Sequence, residues 1–279
     1  LPMNNIDRDS LRRRIKAALE EDLQTEGDIT TKAIFEERVQ GRAAVTAKQS
    51  GILCGGWVFA LVFEELGEVE VRQLIEEGTA VSSGDRVLEL SGSVRALLSG
   101  ERTALNFLQH LSGIATYTRE LVEAVGGMIK VCDTRKTMPL WRDLQKYAVR
   151  TGGGTNHRMG LYDMVMIKDT HADGAGSLAE ALRRVEHLRP RVQVAAEART
   201  MEEVKMALDA KADIVMLDNM DLETMRKAIP FINKQCQTEV TGGITIEKAK
   251  ELSDLGIDRI SVGALTHSVT ALDFSMKLE

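Results

Sequence analysis

The spacing of hydrophobic positions changes several times along the chain, and each change marks a different kind of structure. Near the start, hydrophobic residues recur every three or four positions and predict a helix over residues 10–24. Asp9 or Ser10 could cap the first turn of this helix. The polar residues 28–31 that follow are predicted to form a loop.

A shorter period begins at residue 41. Between residues 41 and 90, short β-branched stretches alternate with glycine turns around one helical segment at 57–66, as is typical of a small α+β domain. The helical period returns over residues 94–125. Because Gly100 and Gly113 interrupt it, we expect at least two helices there.

The change of pattern suggests two domains. We place an N-terminal domain at residues 1–108 and a C-terminal domain at residues 109–267. A last helical pattern within residues 268–279 is a candidate to join the first domain.

From residue 127 onward, strand-like and helix-like patterns alternate. This repetition predicts a parallel sheet, because parallel strands need crossover connections. Six or seven strands would fit either a barrel-like or a doubly wound sheet. The predicted strands are 128–132, 164–167, 192–196, 214–217, 239–240 and 259–262. The predicted helices are 140–150, with Pro139 in its first turn, 177–187, 201–210, 222–233, 246–255 and 269–277.

Polar or glycine residues follow each predicted strand. The carboxyl ends of barrel strands meet at one mouth, so we expect these residues to share a pocket. Its cations suit carboxylates or phosphates, its two acids suit a divalent cation or ribose hydroxyls, and its glycine turns suit a phosphate. The cations are Arg135, Lys136, His157, Arg158 and Lys168; the acids are Glu197 and Asp218; the turns are Thr241, Gly242, Gly243, Gly263 and Ala264.

Composition narrows the class of protein. The chain has a formal net charge of -6, yet residues 133–158 hold six Lys or Arg and only two acids, which creates a local field that attracts anions. Aromatic residues make up only 4%, which argues against a nucleic-acid partner. No apolar run is long enough to cross a bilayer, and the start lacks a signal-peptide core, so we expect a cytoplasmic protein with no membrane partner. The three cysteines include no CxxC pair and suggest neither disulfides nor a zinc site.

Several ordered motifs resemble those of the quinolinate phosphoribosyltransferases. They span nearly the whole chain, although Thr170, Ala195 and residues 138–141 depart from the family pattern. The matching stretches are 20–31 (EEDLQTEGDITT), 101–106 (ERTALN), 133–137 (DTRKT), 152–158 (GGGTNHR), 167–169 (IKD), 217–219 (LDN), 242–244 (GGI) and 263–268 (GALTHS).

The resemblance implies a fold and an activity. The fold would be an N-terminal α/β sandwich with a C-terminal open α/β barrel of about seven strands, of the type II phosphoribosyltransferase kind. The activity would be transfer of phosphoribosyl from phosphoribosyl pyrophosphate to quinolinate, with Mg²⁺, giving nicotinate mononucleotide, pyrophosphate and CO₂ in de novo NAD biosynthesis. A homodimer is implied, with room for a higher oligomer, in which Arg102 acts across the interface.

The resemblance also implies residue roles. Lys136, Glu197 and Asp218 would be catalytic, and the two acids would also meet the metal indirectly. The 5′-phosphate would bind at Thr241, Gly242, Gly243, Gly263 and Ala264. Residues implied to bind substrate are Arg102, Thr134, Arg135, Lys136, His157, Arg158, Lys168, Glu197 and Asp218.

Other interpretations stay open at this point. A related phosphoribosyltransferase could act on nicotinate or another pyridine carboxylate, and a Schiff-base aldolase could use Lys168 as its nucleophile. Glu197 could be an acid at a helix start, and Asp218 or Asn219 could cap a helix. We expect His110, His187 and His267 to be structural.

Overall fold

The computed structural model describes residues 6–279, which form two compact units. The first comprises the described residues up to Arg119, together with Asp143–Gly153 and Val269–Glu279. The second comprises Glu120–Arg142 and Gly154–Ser268. The sequence pattern placed a domain boundary near residue 108, whereas the first change between units falls at Arg119.

Helices and strands alternate along both units. The helices are α1 (Arg8–Leu23), α2 (Ile29–Ile34), α3 (Gly56–Leu66), α4 (Val94–Ala124), α5 (Arg142–Thr151), α6 (Asp169–Ala175), α7 (Leu178–Val185), α8 (Met201–Asp209), α9 (Leu222–Ile232), α10 (Ile246–Leu252) and α11 (Ala264–His267). The strands are β1 (Gln40–Ala47), β2 (Gly51–Ile52), β3 (Val69–Gln73), β4 (Ala80–Val81), β5 (Arg86–Ser93), β6 (Lys130–Cys132), β7 (Val165–Ile167), β8 (Val194–Ala198), β9 (Ile214–Asp218), β10 (Gln237–Thr241), β11 (Arg259–Ser261) and β12 (Phe274–Leu278). Within the described residues, no helix is both long enough and apolar enough to span a membrane.

Two predictions near the start are wrong in detail. The cap of α1 is Asp7, whose carboxylate accepts the Asp9 N–H, rather than Asp9 or Ser10. The predicted loop at 28–31 instead begins helix α2. Asp28 caps it by accepting the Thr31 N–H at 2.9 Å, and the hydrogen bonds from Thr31 lower the pKa of the Asp28 carboxyl.

The first unit contains an antiparallel sheet with strand order β12-β1-β5-β3. Strand β12 pairs with β1 from Ala43↔Leu278 to Ala47↔Phe274. The predicted final helix is therefore wrong. Phe274 and Met276 are buried at alternate positions, which is the period of a strand with one face against a core.

Helix α4 is one continuous helix of 31 residues, so the prediction of two helices is wrong. Its glycines mark close packing rather than breaks. A Cβ on Gly113 would lie 2.1 Å from the carbonyl oxygen of Thr270, and one on Gly100 would lie 2.7 Å from the Phe63 ring. A helical glycine costs about 1 kcal/mol relative to alanine, and here the close approach of neighbouring groups requires it.

The second unit is built around a parallel sheet with strand order β6-β11-β10-β9-β8-β7. Strands β7 to β11 follow one another in chain order, and the last strand pairs with the first, β6. A doubly wound sheet would instead reverse direction from a central first strand. This topology is that of an α/β barrel left open between β6 and β7. The implied seventh strand is reduced to one parallel bridge between Thr155 and Cys132.

The barrel interior has an apolar half and a polar half. Strands β7 to β9 supply a cluster in which Ala195, Ile214 and Met216 pack with Met164 and Met166. On the other side, strands β6, β10 and β11 carry Cys132, Glu239 and Ser261, all of them buried. The polar half is positioned to support the side chains at the barrel mouth.

Candidate active site

The predicted site residues of the second unit meet at one edge of the parallel sheet. Thr134 to Lys136 follow β6 directly, and Gly263 follows β11 closely. Asp218 and Thr241 end β9 and β10 and are register partners. Because parallel strand ends share an edge, cations, acids and glycine turns from distant parts of the sequence come together there.

Glu197 and Lys168 form an ion pair, with Nζ and Oε1 2.8 Å apart. Glu197 lies inside β8 rather than after it, is 9% exposed, and is not a helix-start acid, because Thr200 caps the next helix. Lys168 directly follows the last residue of β7, the strand that pairs with β8. An ammonium held on a carboxylate is a binding group rather than an amine nucleophile, which argues against the aldolase alternative.

Arg135 and Arg158 form the cationic part of the site. Arg158 is 9% exposed and donates from Nη1 to the Met164 carbonyl at 3.2 Å. Burial, followed by the nearby charge of Arg135, lowers the pKa of Arg158. The Nε–H of Arg135 is buried and, among the described residues, has no acceptor. Two close guanidinium groups with an unused donor suit a carboxylate ligand.

His157 is buried between the site and the barrel core. Its backbone N–H donates to Asp133 Oδ1 at 3.0 Å, and its Nε2 lies 3.3 Å from Glu239 Oε2. Its Nδ1 accepts the Arg158 backbone N–H at 2.8 Å. Both ring nitrogens thus contact protein groups. Direct binding of substrate by His157 stays a prediction.

Lys136 lies over the second glycine turn. The Thr266 hydroxyl donates to the Lys136 carbonyl at 2.7 Å. A Cβ on Gly263 would lie 3.0 Å from Lys136 Cδ and 3.1 Å from the His267 ring. A side chain at position 263 would therefore press against the lysine and the histidine ring. The expectation that His267 is structural stays a prediction.

The first glycine turn is held from two sides. Gly242 has a φ of +96°, and a Cβ there would lie 2.1 Å from Asn219 Oδ1. Lys248 Nζ donates to the Gly242 carbonyl at 2.8 Å. The turn thus requires glycine and sits beside a cation that sequence reasoning missed. Neither Asp218 nor Asn219 caps α9, because Asp221 does so by accepting the Thr224 N–H.

Arg102 is the predicted site residue that belongs to the first unit. It lies on α4 in the first unit, where it is exposed. The other predicted site residues belong to the second unit. The role of Arg102 stays a prediction.

The two acids of the site could share a metal ion with a ligand. In the part of the chain that the structure describes, no group of three or more His, Cys, Asp or Glu is arranged to hold one. Mg²⁺ is commonly held by one or two carboxylates together with substrate phosphates and water. Glu197 and Asp218 fit that mode of binding, which needs no protein cage.

Glu239 is the clearest residue that sequence reasoning missed. The sequence pattern places it only within the strand at 239–240, yet it is completely buried and contacts His157. The sequence does hold a signal, namely an acid inside a predicted strand. Thr238, Glu239 and Val240 are all buried, and a buried acid needs a partner.

Comparisons with known proteins agree with this architecture. The family model described as "Quinolinate phosphoribosyl transferase, C-terminal domain" matches residues 114–277, and the corresponding N-terminal domain model matches residues 28–112. The chain is 43% identical over 260 residues to a probable nicotinate-nucleotide pyrophosphorylase (carboxylating) of Bacillus subtilis, covering 92% of this chain and 89% of that protein. A nicotinate-nucleotide pyrophosphorylase (carboxylating) of Mycobacterium leprae is 38% identical over 99% of this chain and 100% of its own length. The crystal structure of NadC from Streptococcus pyogenes superposes with a TM-score of 0.94 at 43% identity, covering 99% of both chains.

Proposed function

The chain belongs to the quinolinate phosphoribosyltransferase family, and on that premise we propose how its residues carry out the reaction. The enzyme transfers the phosphoribosyl group of phosphoribosyl pyrophosphate to quinolinate, which loses CO₂ and becomes nicotinate mononucleotide, a step of de novo NAD biosynthesis. One observation carries the assignment of roles. The buried Nε–H of Arg135, which has no acceptor among the described residues, lies close enough to Arg158 for their charges to interact, on the same sheet edge as the glycine turns.

The cations bind the dicarboxylate. Arg135 and Arg158 present planar forks that can each hold a carboxylate through two hydrogen bonds. Lys168 adds a third positive charge and is itself fixed by Glu197. A substrate with two carboxylates matches this set better than one with a single carboxylate.

The phosphoribosyl half of the site uses different chemistry. The glycine turns at Gly242 and Gly263 lead into helices and offer backbone N–H groups to the 5′-phosphate. Lys136, beside Gly263, is placed to approach the pyrophosphate. Mg²⁺ bound with the pyrophosphate would neutralise the leaving group, and Glu197 and Asp218 are the residues that would meet it through water.

The reaction has two steps. The pyridine nitrogen attacks the anomeric carbon as the bond to pyrophosphate breaks, and Glu197 and Asp218 stabilise the positive charge that develops on the ribose. The bond from the ring to the 2-carboxylate then breaks and releases CO₂, and a proton replaces it. The positively charged ring nitrogen stabilises the carbon that receives the electron pair. Positioning and electrostatics supply the catalysis, and no protein nucleophile is needed.

The activity assay is direct. Purified protein mixed with quinolinate, phosphoribosyl pyrophosphate and Mg²⁺ should form nicotinate mononucleotide and CO₂, and chelation of the metal should reduce the rate. Nicotinate in place of quinolinate should give much less product, because it lacks the second carboxylate. Product formed only from nicotinate would select the alternative substrate, and a folded protein inactive with both would overturn the proposal.

We further propose a homodimer in which Arg102 of one subunit completes the site of the other. Exposed apolar side chains support association: Ile29 and Ile34 on α2 are 69% and 67% exposed, and Tyr162 on the second unit is 80% exposed. Arg102→Ala and Glu197→Gln proteins should each have strongly reduced activity, and subunit exchange between them should restore part of the activity. Hybrids that form but stay inactive would contradict a shared site.

We also propose a cytoplasmic location. The free cysteines, Cys54, Cys132 and Cys236, support it, because a reducing compartment keeps thiols unpaired. Cell fractionation tests this location, and recovery of the protein outside the soluble cell contents would contradict it.

A further inference from the structure

A buried carboxylate lies directly beneath the cationic site. Glu239 on β10 is fully buried, and its Oε1 accepts the Ser261 hydroxyl at 2.5 Å. Its Oε2 lies 3.3 Å from His157 Nε2 and 4.0 Å from Arg259 Nε. A buried charge is costly unless it is paired and hydrogen-bonded, so these contacts make its presence tolerable.

The surroundings show that an acid is not required for packing. Glu239 is the register partner of Met216, which belongs to the apolar half of the barrel core. An apolar residue can thus fill the same level of the barrel one strand away. Because replacing a whole buried ion pair by apolar residues is often neutral or stabilising, stability alone does not explain why Glu239 and Arg259 are charged, and a role outside stability is the better explanation for the carboxylate.

The contacts of His157 define its protonated nitrogen. Nδ1 accepts the Arg158 backbone N–H at 2.8 Å, so Nδ1 carries a lone pair rather than a proton. Nε2 therefore bears the hydrogen and donates it to Glu239. The carboxylate thus selects one tautomer and one orientation of the ring.

The same bond reaches the substrate-binding arginine. The ring of His157 holds the backbone of Arg158, while Arg158 Nη1 donates to the Met164 carbonyl at 3.2 Å. The arginine is fixed at both ends. Rotation or tautomer exchange of the histidine would remove the acceptor of the Arg158 N–H and release one end.

We propose that Glu239 is a positioning residue that aims Arg158 at the quinolinate carboxylate through His157. This role rests on the proposed function of the cationic site. Glu239 does not touch the substrate in this arrangement. It fixes the ring, the ring fixes the Arg158 backbone, and the backbone directs the guanidinium.

The test compares two substitutions of similar size. Glu239→Leu removes the acceptor of the His157 proton, whereas Glu239→Gln retains an amide oxygen that can accept it. For Glu239→Leu we expect KM for quinolinate to rise about tenfold, the effect of losing one hydrogen bond to a charged group, with KM for phosphoribosyl pyrophosphate nearly unchanged. Glu239→Gln should stay close to the native KM. Met216→Leu, in the apolar half at the same level, serves as the packing control.

A second measurement reads the histidine itself. Nitrogen NMR of histidine-labelled protein, with the His157 signal assigned by its loss in His157→Asn, should show Nε2–H in the native and Glu239→Gln proteins. A mixture of tautomers is expected in Glu239→Leu. If that variant does not fold, the native and Glu239→Gln spectra decide, since a proton on Nδ1 in either would overturn the proposal.

Kinetic outcomes can also overturn it. Equal increases in KM for both substrates would show that Glu239 acts by general packing. A Glu239→Gln protein as impaired as Glu239→Leu would show that its charge matters and not its hydrogen bond to His157, which also overturns the proposal. Should the native enzyme reject quinolinate, the proposed function fails. The NMR result would still report whether Glu239 selects the tautomer.

Discussion

Replacement of Arg135 by alanine is expected to lower kcat/KM for quinolinate by about a hundredfold to a thousandfold. Truncating one partner of a buried charged hydrogen bond costs about 3–4 kcal/mol, and each 1.4 kcal/mol corresponds to about tenfold. The buried Nε–H of Arg135 has no acceptor among the described residues, so its hydrogen-bonding capacity is available to the ligand. Binding of phosphoribosyl pyrophosphate should change much less.

Steady-state kinetics with each substrate varied in turn will separate the effect on quinolinate from the effect on phosphoribosyl pyrophosphate. Calorimetry will measure the binding of phosphoribosyl pyrophosphate directly. Arg199→Ala is a suitable control. This substitution removes the same charge as Arg135→Ala, from an exposed arginine of the same unit that is paired with Glu203. Arg135→Lys should fall between the native and alanine proteins, since it keeps the charge and loses the planar fork. Equal losses for both substrates would contradict the assigned role.

Glu197→Gln is expected to lower kcat by about a hundredfold to a thousandfold, in the range measured when one preorganised electrostatic group is removed from an active site. Glutamine has the same shape and keeps an oxygen that can accept from Lys168 Nζ, now 2.8 Å from the carboxylate. What is lost is the negative charge facing the ribose as it becomes positive. The effect should therefore appear in kcat at saturating substrates.

Binding of quinolinate to the Glu197→Gln protein, followed by calorimetry, should stay within a few fold of native. Glu203→Gln is the matched control, because Glu203, in the first turn of α8, forms its ion pair with Arg199 and is not one of the proposed site residues. An unchanged kcat, with the whole loss appearing in KM for quinolinate, would show that Glu197 merely holds Lys168.

The parallel sheet could be predicted largely from the period of hydrophobic residues. Short apolar stretches alternating with helical ones predicted the six parallel strands along the chain, because this pattern depends on local burial. Closure into a barrel could not be predicted, since it depends on β11 pairing with β6 across the length of the unit. The glycines of α4 misled the prediction because the groups they approach are distant in sequence.

The candidate site shows the same division. Positions after strands indicated Arg135, Lys168 and Asp218, because strand ends converge whatever the side chains are. Glu239 and Lys248 escaped notice, since their importance comes from contacts that only the folded barrel creates. The reaction itself was inferred from the family resemblance, because a cationic pocket alone does not specify its anion.

The pairing of β12 with β1 has a consequence for synthesis on the ribosome. Strand β1 lies near the start of the described chain, and its partner β12 follows the entire barrel. The first unit therefore cannot complete its sheet while the nascent chain is still emerging, and one edge of β1 stays unpaired until the barrel has been translated. Such an edge can pair with other chains. Because domains generally fold in order of emergence, this topology reverses the usual order and makes the barrel the first unit able to finish folding.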